Sequence, residues 1–516
     1  MNNSAAILRA LIVYAFCIPL AIVVGFATVS LVNSPSYSNF GAFGVLALIL
    51  SAPILLRWHH PLLVLSWNLP LTIFFLKGSP QVYLPMMAVS LGISIMQRTM
   101  DKNMRFIAAP QITLPLVCLA LVVVVTAKLT GGIGLHALGS SVMGGKKYVV
   151  LMAGILGYFA LTARRIPHER ANLYVGLFLL GGCLGAMGDL VAFVPRSFYF
   201  IFLFFPPDAY ALSGSEGSMR FSGVCWAATA FFYYLLARYG INGIFRASKP
   251  WRIVLCILPV ALVLFGGFRS ALPGLVLIFS IQFFLEGLHR TKLMPILALA
   301  AALAAVVCIP MADRMPYTFQ RALSFLPVNI NPAVRADAEA SMQWRLDMWK
   351  ALLPQVPSHL LLGKGYAISA EDYQLMGRDT AFKSIDAAEQ GLAISGDYHS
   401  GPLSVILPFG IWGVIAFVWF IAAGWWMMLL NYRHGDPALR TINTTLFALF
   451  LAKIFGFIFI FGALSGDIAG FAGYLGLSIS LNGGICRPAP NPAVTTAGPL
   501  ERVPARPRLS PAFQRQ

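Results

Sequence analysis

Residues 403–430 read LSVILPFGIWGVIAFVWFIAAGWWMMLL, and this stretch decides the class of fold. It contains no charged residue and is longer than the roughly 20 apolar residues that a helix needs to cross a bilayer. Lipid offers no hydrogen bonds to the backbone, so a continuous apolar run of this length is typical of a helix. The stretch therefore predicts a membrane-spanning helix.

Similar apolar runs occur along most of the chain. The run near 468–485 is the weakest of them, because it has many Gly and Ser residues. We expect an all-α integral membrane protein with 12 to 14 transmembrane helices. The remaining runs lie near residues 10–31, 41–56, 61–76, 81–96, 107–127, 148–163, 171–188, 222–237, 253–268, 270–286, 293–310 and 441–462.

The composition supports this class and excludes others. Of the 516 residues, 58% are hydrophobic and 11% are charged, and the mean hydropathy is +0.76. A cytosolic enzyme carries about 25% charged residues, and a disordered chain has low hydrophobicity, so neither class fits. The net charge of +18 would indicate nucleic acid on a soluble protein. Here cytoplasmic loops rich in Lys and Arg account for it, so we expect no nucleic-acid partner.

The distribution of charge predicts the orientation. With a cytoplasmic N-terminus and alternating helices, the cytoplasmic side collects 21 basic and five acidic residues. The outer side then holds 15 basic and 14 acidic residues, while Lys453 lies inside a helix. This asymmetry follows the positive-inside rule.

One outer segment is too long for a passive connector. Residues 311–402 carry 8 basic and 10 acidic residues and include a helix-like stretch at 333–353. We expect a small extracytoplasmic loop domain there. The predicted division of the chain is about eleven transmembrane helices in 1–310, the loop domain in 311–402, C-terminal transmembrane helices in 403–485, and a disordered basic cytoplasmic tail in 486–516.

Three residues in outer loops are candidates for chemistry. Arg220 precedes the run at 222, Arg269 lies in the turn between two runs, and His399 precedes the run at 403. The predicted topology puts all three at the same depth, although sequence alone does not bring them together. A snorkelling anchor, a turn residue in contact with lipid phosphate, and a satisfied loop histidine are the structural alternatives.

Four short motifs contain or surround these residues, and together they resemble the O-antigen ligase and polymerase superfamily. Their order along the chain, the many helices and the late large loop also match that superfamily. The motifs are RFSG at 220–223, FRSAL at 268–272, SMQWRLDMWKA at 341–351 followed by HLLLGKG at 359–365, and DYHS at 397–400.

The resemblance implies transfer of a glycan from undecaprenyl pyrophosphate to an acceptor hydroxyl. It implies a multi-pass protein of the bacterial inner membrane with its active site facing the periplasm, and a reaction that needs no metal or other cofactor. Guanidinium groups match phosphate oxygens bidentately, so Arg220 and Arg269 are expected to bind the pyrophosphate. An imidazole with an ordinary pKa near ~6.5 can accept the hydroxyl proton, and His399 is the expected base.

Other residues are expected to support this site. Asp397 is placed to orient His399, and Arg345 and Trp349 share one helical face that fixes the loop domain to the membrane or the donor. Asp337 and Glu339 form either a divalent-metal pair or an exposed acidic face. Lys453 pairs with Asp467, contacts another helix, or binds the carrier phosphate.

The possible reactions differ in the acceptor that they use. A ligase uses lipid A core and so completes lipopolysaccharide, a polymerase of O-antigen or exopolysaccharide uses a second carrier-linked glycan, and a protein O-glycosyltransferase uses a protein hydroxyl. The ligase is our first expectation. The alternative from another class is a transporter or flippase of lipid-linked sugars. The expected partners are the lipid-linked glycan, the hydroxyl acceptor and membrane lipids.

Overall fold

The structure is a computed structural model that describes residues 22–25, 29, 37–76, 78–102, 105–131, 145–207, 220–367 and 398–487. Within these ranges the regular secondary structure is helical, apart from a single isolated bridge between Thr72 and Gln81. The all-α class expected from the apolar runs is therefore confirmed. Asp397 and the tail from residue 488 lie outside the described residues.

We number the helices of seven or more residues in chain order. They are α1 (Tyr37–Ser66), α2 (Tyr83–Met100), α3 (Pro110–Thr130), α4 (Gly145–Thr162), α5 (Ala171–Leu180), α6 (Ser222–Ile244), α7 (Trp251–Val263), α8 (Ala271–Leu285), α9 (Leu293–Cys308), α10 (Tyr317–Leu323), α11 (Pro332–Leu352), α12 (Gly401–His434), α13 (Arg440–Phe455) and α14 (Leu464–Asn482).

Five of the described helical segments are long and apolar enough to cross a membrane. Helix α1 adds a sixth as a pair, Asn39–Leu46 and Ile49–Ser66, bent by 50°. Three shorter apolar helices accompany them. The five segments are Pro110–Thr130, His168–Ala192, Gly401–His434, Pro437–Ile460 and Leu464–Asn482, and the shorter helices are Trp251–Gly266, Ala271–Leu285 and Leu293–Cys308.

The structure corrects the division of one region. The runs expected near 41–56 and 61–76 are not two helices, because α1 continues from Tyr37 to Ser66 and the backbone after it is not helical. Residues 67–76 instead form turns. Thr72 donates its backbone N–H to the carbonyl of Phe204 at 2.8 Å, which ties this segment to the region after α5.

The weakest apolar run forms the most buried helix of the five, α14. Its glycines allow close packing, since a Cβ at Gly476 would lie 2.9 Å from Leu161 of α4 and one at Gly473 would lie 2.3 Å from Trp67. Small residues at helix interfaces are typical of membrane bundles, where they let backbones approach. The low hydropathy of α14 reflects contact with protein rather than with lipid.

Helices α10 and α11 lie between α9 and α12, inside the segment predicted as a loop domain. Helix α11 begins at Pro332, whose fixed φ suits a first helical turn, and Asn331 caps it by accepting the N–H of Ala333 at 2.9 Å. The observed range Pro332–Leu352 is one residue offset from the predicted stretch at 333–353. Together the two helices carry most of the candidate site.

Candidate functional site

The start of α6 and the turn between α7 and α8 lie against each other. Phe221 donates its backbone N–H to the carbonyl of Phe265 at 3.2 Å. Gly266 makes the approach possible, because a Cβ there would lie 2.6 Å from Cβ of Cys225 in α6. Arg220 and Arg269, which flank these contacts in sequence, are thereby brought to the same end of the helix bundle.

A third arginine, Arg321 of α10, joins them. Its side chain is 9% exposed, its Nη1 donates to the carbonyl of Gly267 at 2.9 Å, and its Nε donates to Oδ2 of Asp337 at 2.5 Å. Arg321 therefore ties α10 to the turn that carries Arg269. Nothing in its local motif distinguishes Arg321 from an ordinary loop arginine, so its role is not predictable from the sequence.

Asp337 of α11 is the shared counter-ion of this region. Its Oδ2 accepts hydrogen bonds from Arg321 and, at 3.2 Å, from the hydroxyl of Tyr317, and it lies 3.7 Å from Nη2 of Arg220. Burial alone raises the pKa of Asp337. The hydrogen bond and charge of Arg321, with the charge of Arg220 and the Tyr317 hydrogen bond, outweigh it and hold this pKa below its ordinary value.

Arg269 and Arg345 complete a group that we call the arginine cluster: Arg220, Arg269, Arg321 and Arg345, with Asp337 in contact with Arg220 and Arg321. Burial lowers the pKa of Arg269, and the positive charges of Arg321 and Arg345 lower it further. Burial and the charge of Arg321 do the same to Arg345. Four guanidinium groups and one carboxylate leave these five side chains with three positive charges in excess.

Arg345 also has an unused donor. Its Nε is buried, and no acceptor for it exists in the described part of the chain. A buried donor without a partner costs about 1–3 kcal/mol, so such groups call for an explanation. Together with the excess charge, this donor makes the arginine cluster suited to a multiply charged anion such as a diphosphate.

His399 lies in an unusual backbone conformation just before α12. Its φ is +47°, in the left-handed region that non-glycine residues seldom occupy. Its ring packs edgewise against Trp344, with centroids 5.0 Å apart, and against Phe461, with centroids 4.6 Å apart. Such conformations persist where the surroundings enforce them and are common at functional sites.

Helix α11 fixes the segment that carries His399. Trp349 donates its indole N–H to the carbonyl of Tyr398 at 2.9 Å. Tyr398 is itself buried, which raises the pKa of its hydroxyl to about 12. Because Trp344 directly precedes Arg345, the same helix contacts His399 and contributes two members of the arginine cluster.

The Gly363-Lys364-Gly365 motif anchors the loop region to α12. The N–H of Lys364 donates to Leu407 at 2.7 Å and that of Gly365 to Pro408 at 2.9 Å. These carbonyls become available because α12 breaks at Gly410, where φ is +60°. Gly363 must be glycine, since a Cβ would lie 2.3 Å from the carbonyl oxygen of Pro408.

The structure thus brings together most of the residues singled out in the sequence. Arg220, Arg269 and Arg345 meet in the arginine cluster, and Trp349 and His399 adjoin it through α11. Asp337 does not lie on a plain exposed acidic face, since it pairs with arginines. Sequence inspection missed Arg321, Tyr317, Trp344 and Phe461. Only the spacing of Tyr317 and Arg321, four apart on one helix, hinted at a shared face.

The structure gives no support to a divalent-metal site at Asp337. The described residues contain no group of three or more His, Cys, Asp or Glu side chains placed to share an ion. The charge that surrounds Asp337 is positive, and it favours an anionic ligand.

The fold and this site define a class: a multi-pass helical membrane protein with a buried cluster of arginines at one end of its bundle. Residues 253–418 match the family model described as O-antigen ligase. A search of curated proteins gives no match. The match covers less than half of the chain, and it supports the resemblance to the O-antigen ligase superfamily that the motifs predicted. The matched range includes Arg269, Arg345 and His399 and begins after Arg220.

Proposed function

We propose that this protein is an O-antigen ligase-like glycosyltransferase that moves a glycan from undecaprenyl pyrophosphate to a hydroxyl of lipid A core. The observation that carries the proposal is the arginine cluster together with His399, whose ring packs on Trp344 of the helix that also carries Arg345. A doubly charged diphosphate fits the excess positive charge, and the imidazole can take up the acceptor proton.

In the proposed reaction the acceptor oxygen attacks C1 of the donor sugar. Its proton passes to His399 as the new C–O bond forms. The bond between C1 and the phosphate oxygen breaks, and undecaprenyl pyrophosphate leaves with the electron pair. Arg220 and Arg269 neutralise the charge that develops on the leaving oxygen, which is the largest electrostatic demand of this step.

A single displacement of this kind inverts the anomeric centre. The configuration at C1 of the product therefore tests the mechanism. Nuclear magnetic resonance of the isolated product should show the anomer opposite to that of the donor. A retained anomer would contradict direct attack by the acceptor.

The distribution of loops supports a site on the periplasmic side. The end of the bundle opposite the arginine cluster carries loops rich in Arg and Lys. Two of these loops meet where His168 lies 3.0 Å from Asp436. The positive-inside rule favours a cytoplasmic position for that end, and this supports an outer-face position for the arginine cluster.

The proposal is tested in proteoliposomes with purified donor and lipid A core acceptor. His399→Ala should lower transfer about 100-fold or more, because general-base catalysis contributes roughly 10²–10⁴-fold. His434→Ala, at an exposed histidine at the opposite end of α12, is the control and should transfer at the wild-type rate. Transfer by His399→Ala at near the wild-type rate, with normal membrane insertion, would show that His399 is not the base.

The diphosphate role has its own test. Arg220→Lys keeps the charge but loses the bidentate fork, so the KM for donor should rise about ten-fold. An unchanged KM and turnover would contradict this role. Replacing lipid A core with a second carrier-linked glycan in the same assay distinguishes a ligase from a polymerase.

A further inference from the structure

A cavity of about 600 Å³ lies along one face of α6. It follows the helix from Ser222 past Trp226 to Tyr233, which is about 16 Å at 1.5 Å per residue. Ser222 is two residues beyond Arg220, so the cavity begins beside the arginine cluster. We call it the α6 cavity; its polar lining includes Asn68, Asp189, Ser222, Tyr233, Lys453 and Tyr474.

The two charged groups of the α6 cavity both have partners within the protein. Asp189 is buried and accepts the N–H of Val224, in the first turn of α6, at 2.7 Å. This carboxylate occupies the helix N-terminus, where an anion would otherwise bind. Lys453 forms an ion pair with Asp467, which also settles the question that the sequence left open about Lys453. The cavity therefore favours an uncharged ligand.

The Ser222 hydroxyl indicates that such a ligand carries hydrogen-bonding groups. It is 2% exposed, and its hydroxyl has no hydrogen-bond partner among the residues that the structure describes. Asn68 donates its amide N–H to Phe178 at 2.7 Å, a bond that does not use its carbonyl oxygen. Hydroxyl, amide and phenol groups supply both donors and acceptors, which is the set that a sugar with several hydroxyls requires.

The size of the cavity agrees with this chemistry. Its volume lies inside the range of about 300–1,000 Å³ that is common for small-molecule sites. Trp226, Tyr233 and Tyr474 add aromatic surface to the polar groups. Apolar faces and hydroxyls alternate on a pyranose ring, so a lining of this mixed kind suits it better than it suits a plain hydrocarbon chain.

We propose that the α6 cavity binds a neutral saccharide unit of one of the two substrates. This proposal rests on the proposed glycan transfer, since it assigns a place to a sugar beside the diphosphate site. The sugar belongs either to the donor, next to its diphosphate, or to the acceptor. Both sources share the chemistry of the cavity, and the experiment separates them.

The experiment measures binding of three probes to the full chain in nanodiscs. The probes are undecaprenyl pyrophosphate, undecaprenyl pyrophosphate carrying one N-acetylglucosamine, and deacylated lipid A core oligosaccharide. Ser222→Ala should weaken one sugar-bearing probe about five-fold, as expected for one hydrogen bond, and leave the bare carrier unchanged. A loss with the second probe assigns the cavity to the donor sugar, and a loss with the third assigns it to the acceptor.

A second cavity variant and a control variant distinguish a specific loss of binding from a general loss of stability. Ser222→Ala removes a hydroxyl that has no partner among the described residues, so the melting temperature should not fall. Tyr233→Phe gives a second, nearly isosteric change. Ser94→Ala is the control, because that buried hydroxyl already donates to Ser90 at 2.8 Å in α2. The proposal is overturned if both cavity variants bind the two sugar-bearing probes like the wild type, or lose the bare carrier equally.

Failure of the transferase proposal and failure of the saccharide-binding proposal give different results. If the chain bound saccharide probes in a way that depends on Ser222, yet catalysed no transfer, the α6 cavity would stand and the transferase proposal would fall. If transfer depended on His399 while the cavity variants bound normally, the reverse would hold.

Discussion

The arginine cluster and the α6 cavity meet at the first turn of α6 but handle charge in opposite ways. The cluster contains four guanidinium groups and one carboxylate, Asp337, which pairs with Arg220 and Arg321. In the cavity, by contrast, Lys453 is paired with Asp467 and Asp189 caps a helix. One region keeps excess charge for an anion, and the other leaves only neutral polar groups for a ligand.

The position of each region gives the physical reason for this difference. The cluster is built partly from α10 and α11, which lie outside the spanning helices, where water helps to solvate an excess of charge. The cavity runs along α6 into the bundle, where an unbalanced charge is expensive and ionisable groups pair with one another. Adjacent sites on one helix can therefore select the charged and the neutral parts of the same substrates.

Loss of Arg269 should have the largest effect, and it should impair the function of the arginine cluster but not ligand binding in the α6 cavity. Arg269→Gln removes a positive charge from the cluster and should lower kcat/KM for transfer about 100-fold. Binding of a neutral oligosaccharide should stay unchanged, because the cavity does not use this charge. Arg314→Gln, at an exposed arginine of the neighbouring loop, is the control. Equal losses in both assays would mean that the regions are not separable.

A methyl group added at Gly223, beside the α6 cavity, should have the next largest effect, and this effect is on stability. A Cβ at Gly223 would lie 2.1 Å from the carbonyl oxygen of Gly185. Gly223→Ala should therefore destabilise the protein by about 1–3 kcal/mol, seen as a lower melting temperature in detergent. Gly274→Ala, where the added methyl meets open space, should leave it unchanged. Similar melting temperatures for the two variants would argue against close packing here.

Two tryptophans of α11, Trp344 and Trp349, allow a finer test of how this helix positions His399. Trp349→Phe removes the hydrogen bond to Tyr398 and should lower kcat about five-fold with little change in donor KM, because His399 is held less firmly. The indole N–H of Trp344 has no acceptor among the described residues. Trp344→Phe therefore keeps the ring contact with His399 and should lower kcat less than Trp349→Phe does. Equal effects on kcat would contradict a positioning role for Trp349.

The smallest expected effect is the pH dependence of the Asp337 contacts. The folded-state pKa of Asp337 lies below its ordinary value of ~3.9, so its contribution is complete above about pH 5 and is lost as pH falls through the folded pKa. The carboxylate is partly exposed, which limits the contribution to about 1 kcal/mol. The gap in melting temperature between wild type and Asp337→Asn should shrink from pH 6 to pH 3. A gap that widened on acidification would contradict the assignment.

Several features follow from local sequence. The membrane class follows from the apolar runs, because burial of apolar surface in lipid depends on composition over about 20 residues. The range of α11 follows from Pro332, the cap at Asn331 and the helix-like stretch after them. The functional importance of Arg269, Arg345 and His399 was suggested by motifs whose residue types suit phosphate and proton transfer, and their roles remain predictions.

Other features were decided only by the tertiary structure. The sequence suggested an acidic pair at Asp337 and Glu339, but the three-dimensional contacts make Asp337 a counter-ion of Arg220 and Arg321. The weak apolar run became the buried α14, since its small residues face protein. In each case the outcome depends on which distant segments pack together.

The sequence by itself determined that this chain is a helical membrane protein whose motifs resemble those of the O-antigen ligase superfamily. Hydropathy and motif chemistry are local properties, and they are readable without a fold. The tertiary structure alone decided that Arg321 shares Asp337 with Arg220, and that a neutral polar cavity starts two residues beyond Arg220. Ion pairing and cavity shape arise from contacts between segments far apart in sequence, which no local pattern specifies.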